Sequence, residues 1–162
     1  MIDVEIEDEG WVAALPDAAG IVERTADAVL SFQATGGDIS VLLADDPAVH
    51  DLNARFRGKD QPTNVLSFPA PESAQPHLGD IALAYGVCAR EAAAQGKPLA
   101  HHLMHLTAHG VLHLLGYDHE TDAEAEEMEG MERAILATLG VPDPYAEPDA
   151  HPGPGLDETH VL

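Results

Sequence analysis

Three histidines, His109, His113 and His119, have the type and spacing to hold one metal ion. Residues four apart on an α-helix share a face, with β-carbons roughly 6 Å apart, so the imidazoles of His109 and His113 can close on a single cation. Gly116 then offers a helix stop, after which a short segment can bring a third ligand back. His119 is the natural third donor. Asp118 and Glu120 are its substitutes, but a third imidazole gives the neutral set that suits zinc. A straight triad of His105, His109 and His113 fails on length, because eight residues at about 1.5 Å each set its outer members roughly 12 Å apart. Three protein ligands leave the fourth zinc position for water, whose pKa a catalytic zinc lowers to roughly 7.

These side chains need elements to position them. Ile2, Val4 and Ile6 alternate with acids, the mark of a half-buried strand. A helix over residues 18–33 follows, closed by Gly36 and Gly37, then a strand at 39–43. Asp46 as N-cap and Pro47 in the first turn open a helix through about Phe56, with Val49, Leu52 and Phe56 as its buried stripe. Residues 64–68 and 80–85 read as strands on either side of a Pro-rich connection. Residues 87–95 form an Ala-rich helix stopped by Gly96. Pro98 starts the histidine helix, which Leu103, Leu106, Val111, Leu112 and Leu115 keep in the core. Thr121 and Glu124 match a capping box, and Met128, Met131, Ile135 and Leu139 give the last helix one apolar stripe. The pattern predicts an α+β fold: a small mixed sheet of about four strands packed with helices, the metal-binding helix lying in the C-terminal half. Residues 1–140 are one domain, and 141–162 an acidic, Pro-rich flexible tail.

Composition narrows the function classes. A chain of 162 residues with 45% apolar content can build one sizeable core. It has no run of about 18 apolar residues and opens on acids where a secretory signal would be basic, so no membrane span and a cytoplasmic location are expected. Cys88 stands alone, which excludes an internal disulfide and a cysteine-rich zinc site. The formal net charge of −22 argues against indiscriminate adhesion to nucleic acid. Three of the seven bases, Arg55, Arg57 and Lys59, nevertheless fall within five residues. A polyanion would be gripped there and repelled elsewhere.

The segments Asn53 to Phe68, bearing Arg55, Arg57, Lys59, Thr63 and Asn64, then Leu78 to Ile81, then His109 to His119, resemble in order the YbeY family of bacterial endoribonucleases. The likeness spans roughly residues 1–140. It implies a zinc-dependent, single-strand-specific endoribonuclease acting in ribosomal RNA maturation, chiefly at the 16S 3′ end, and in ribosome quality control. It further implies one zinc per chain on His109, His113 and His119, and an activity that needs Arg57. Ribosomal RNA is the implied partner, and the chain's acidity suggests work alongside small-subunit or associated proteins.

Within that reading a guanidinium can hold two phosphoryl oxygens at once, which favours Arg57 over Lys59 for stabilising the transition state. Lys59 and Arg55 would position the RNA backbone. Asp118 either orients a ligand or shuttles a proton, or else caps its own turn. Attack on phosphorus by hydroxide and by the ribose 2′-OH are both open. Two other classes stay in view: a metallopeptidase, which in the zincin pattern has a glutamate where this chain has Gly110, and a structural zinc site.

Overall fold

The alternation at the start of the chain builds β1 (Ile2–Ile6), whose aliphatic residues pack on the core while Asp3 and Glu5 face water. The computed structural model describes residues 1–146. After β1 come α1 (Gly10–Ala14), α2 (Ala18–Phe32), β2 (Asp38–Ala44), α3 (Asp46–Arg57) and β3 (Val65–Pro69). A short 3-10 turn leads to β4 (His77–Ala84), α4 (Tyr85–Gln95), α5 (Leu99–Leu114) and α6 (Asp122–Thr138). The strands make one mixed sheet in the order β1-β2-β4-β3, with β3 antiparallel at one edge and the other pairs parallel. This is the expected α+β arrangement, with the histidine helix in the C-terminal half.

Register sets Val4, Val41, Ile81 and Ser67 in one row across the sheet. Val4, Val41 and Ile81 belong to the main core, to which α2, α5 and α6 also contribute. The helix comes down close: a Cβ on Gly110 would lie 3.1 Å from Ile81 Cδ1 and 3.2 Å from Ser67 Oγ. The Ser67 hydroxyl donates to the Gly110 carbonyl at 3.2 Å, which satisfies the one polar member of that row. Leu103, Leu106, Val111 and Leu112 are fully buried, as expected, and Leu115 partly so. A smaller cluster, including Val49, Leu66 and Ala82, fills the other face of the sheet.

Several details differ from the sequence reading. The short helix α1 was not expected. Its Trp11 is wholly buried, donates its indole N–H to the Ala44 carbonyl at 3.1 Å and meets Tyr85 edge-on. Removing roughly 150–250 Å² from water at about 25 cal/mol/Å² makes that side chain an anchor of about 4–6 kcal/mol, an upper figure. The N-cap of α3 is Asp45, which accepts the Ala48 N–H. Asp46 instead reaches α4, accepting from the Val87 N–H and from Arg90. Phe56 is 61% exposed and lies edge-on to Phe68, because the smaller cluster ends before the last turn of α3. Strand β4 begins at His77, and Tyr85 already belongs to α4.

Of the expected tail, residues 147–162 lie outside the described residues. Residues 141–146 rest on the body: Val141 is buried and the Tyr145 hydroxyl is hydrogen-bonded. Among the described residues no helix is long and apolar enough to cross a membrane.

Candidate metal centre

Helix α5 carries His109 and His113 one turn apart, with ring centroids 4.7 Å from each other. The chain then turns at Gly116, whose φ of +103° strains any residue with a side chain. That turn returns His119 to 5.4 Å from the His109 ring and 5.2 Å from the His113 ring. A hydrogen bond from Tyr117 Oη to Gln33 Oε1 at 3.1 Å ties the turn to the end of α2. Each histidine offers one ligand atom within 4.8 Å of the others, a spacing that could hold a single metal ion. Among the described residues no other histidine, cysteine or carboxylate joins the group.

The donors fit a metal on independent grounds. The Nε2 atoms of His109 and His113 are buried and have no hydrogen-bond partner among the described residues. Buried polar atoms left this way are uncommon and point to an ion or ligand. Burial, together with the neighbouring His109 and His119, pushes the His113 imidazole down to about 4, leaving it neutral and able to ligate at cellular pH.

Behind the cluster lies an acid that the sequence reading missed. Glu132 of α6 is fully buried and takes His109 Nδ1 at 2.8 Å on one oxygen and His105 Nε2 at 2.9 Å on the other. The Tyr145 hydroxyl donates to that second oxygen as well. Burial alone would raise this carboxyl, but its bonds to His105 and His109 outweigh burial and hold it well below the usual carboxylate range. An ionised acceptor makes His109 Nδ1 the donor and turns the Nε2 lone pair toward the other two histidines. Its placement was readable: Glu132 stands four residues after Met128 and three before Ile135, within the apolar stripe of α6.

A cavity of about 190 Å³ opens on the other side, lined by Arg57, Ser67, His113, Tyr117 and Asp118 among others. The Arg57 guanidinium donates to the Ser67 carbonyl of edge strand β3 at 3.0 Å. Asp118 accepts the backbone N–H of His119 at 2.8 Å, holding the turn while also facing this cavity. Arg55 pairs with Asp51 at 3.1 Å in solvent, and neither it nor Lys59 lines the cavity. At Gly110 a peptidase glutamate would have to fit against Ile81 and Ser67, where even a Cβ is tight.

The model of the endoribonuclease YbeY family matches residues 5–140. The chain belongs to this family. An endoribonuclease YbeY of Rhodopseudomonas palustris (strain CGA009) is 54% identical over 156 residues, covering 91% of this chain and 82% of the relative. The endoribonuclease YbeY of Azorhizobium caulinodans is 52% identical over 155 residues, covering 91% and 97%. The solution structure of a Thermotoga maritima protein shares the fold, with a TM-score of 0.57 at 22% identity, over 91% of this chain and all of that one. Family membership makes the chain a nuclease, a hydrolase of phosphodiester bonds, and the histidine cluster agrees with a metal-dependent one.

Proposed function

We infer that this chain is a zinc-dependent endoribonuclease that cuts single-stranded RNA in ribosomal RNA maturation, at the 16S 3′ end, and serves ribosome quality control. The observation that carries the reading is the convergence of three imidazoles, one of which, His113, lines a cavity together with Arg57. The names of relatives 50–56% identical to the chain support RNA as the substrate. One zinc held by His109, His113 and His119 would supply Lewis acidity, activating water near neutral pH and drawing charge from a phosphoryl oxygen.

The chain's own residues do the rest. His109 and His113 hold their lone pairs in place from a helix pressed against the sheet, and His119 completes the set from the turn. Arg57 presents parallel N–H donors to the phosphoryl oxygens on which charge accumulates, and its bond to the Ser67 carbonyl aims it. Asp118 steadies the turn through its bond to the His119 N–H and, lining the cavity, takes a proton there in this reading. Arg55 and Lys59 grip phosphates of the strand leading into it. With 29 acids on the chain against seven bases, this grip stays local, which favours action beside small-subunit or associated proteins, and the reading sets that action in the cytoplasm.

Single-turnover cleavage of a ribosomal RNA fragment tests the assignment. Zinc-loaded wild type cuts, His113→Ala is inactive, and Arg57→Ala loses roughly 10²–10³-fold in rate. Equal cleavage by all three would mean a contaminating nuclease and sink the assignment.

A further inference from the structure

Directly past α6 the next few residues stay on the molecule. It folds back as a strap over residues 141–145, beyond the span matched by the family model, which ends at 140. Val141 is buried in the core, and the Pro144 carbonyl accepts from Lys97 Nζ at 2.7 Å. Arg133 of α6 grips Asp143 at 3.1 Å and stands over the Tyr145 ring, 5.4 Å from its centroid. These fastenings deliver the Tyr145 hydroxyl to Glu132 and to His105 Nε2, with the ring edge-on to the His105 imidazole.

Resting on the metal reading above, we propose that Tyr145 is a positioning residue of the metal centre, acting through Glu132 and His109. A fully buried carboxylate needs donors for both oxygens, and here it has three: His109 Nδ1–H, His105 Nε2–H and the Tyr145 O–H. Two of them meet on one oxygen, which leaves the second entirely to His109. Glu132 thereby fixes both the tautomer and the ring angle of His109, and so the direction of its Nε2 lone pair. Without the tyrosine, His105 alone answers the first oxygen, and the carboxylate can rotate away from His109. The strap also walls a cavity of about 150 Å³ that His109, His119 and Glu132 share, so the same residue limits water behind the ligands.

The test uses the full chain and zinc affinity, read by competition with a chromophoric chelator. Tyr145→Phe, which keeps the ring contacts, is expected to bind zinc about tenfold more weakly, and Glu132→Gln between tenfold and a hundredfold. The absorption bands of the cobalt(II)-loaded protein should shift in both variants, a signature that a purely structural role would leave alone. Tyr145→Phe with wild-type zinc affinity and an unchanged cobalt spectrum overturns the proposal, even if its metal-free form melts lower. Should Glu132→Gln fail to fold, the Tyr145→Phe result decides. Wild type that takes up no zinc overturns the metal reading itself and this proposal with it.

Discussion

The two sides of the histidine cluster are built on opposite plans. On one side an anion, Glu132, is sealed from water and surrounded by donors from α5 and the strap. On the other a cation, Arg57, lines a surface cavity and is held by a backbone carbonyl of edge strand β3. The buried anion acts on the cluster through His109, the one histidine of the three that it touches. The cation can act on what enters. Under the proposed function one side prepares the centre and the other uses it, so substitutions on the two should separate metal affinity from turnover.

The largest effect should come from removing what both sides serve. Stripping the metal with a chelator is expected to cost at least about 10³-fold in cleavage, in line with the several kcal/mol an ion supplies to the transition state. Circular dichroism should show the fold largely kept, because α5 is held in the core by its own apolar residues, Leu103, Leu106, Val111 and Leu112. Collapse of the secondary structure on chelation would instead indicate a structural zinc. Next, Arg57→Lys keeps the charge but loses the planar fork, so its turnover should fall roughly tenfold to a hundredfold while zinc affinity stays at the wild-type value. Weaker zinc binding in that variant would erase the division between the two sides. The smallest effect belongs to Arg55→Ala and Lys59→Ala, outside the cavity. Each should weaken RNA binding uniformly and lower the salt slope by about one, with single-turnover rate at saturation preserved.

The histidine cluster was readable in the sequence alone because its geometry is local. Two histidines four apart, a glycine and a third histidine define a helix face and a return within eleven residues. Most elements followed from periodicity and caps in the same way. The capping box of Thr121 and Glu124 forms as read, with both reciprocal bonds present. What escaped depends on contacts between distant segments. The position of Glu132 in the apolar stripe of α6 hints at burial, but its partners, His105 and His109, come into view only once α6 packs on α5. Trp11 lies in a five-residue helix too short for any period to show, and it is held by Ala44 and Tyr85, far along the chain. Phe56 fits the helical spacing of Val49 and Leu52, but whether a stripe is covered to its end depends on how far the neighbouring layer extends.

The close seating of Gly110 on Ile81 and Ser67 has a further consequence. With no side chain between helix and sheet at residue 110, α5 packs directly on β3 and β4, so His109 and His113 are presented from a braced helix. Any adjustment to ions of different radius would then fall to the turn through Gly116 that carries His119, within what the Tyr117–Gln33 and Asp118–His119 bonds allow.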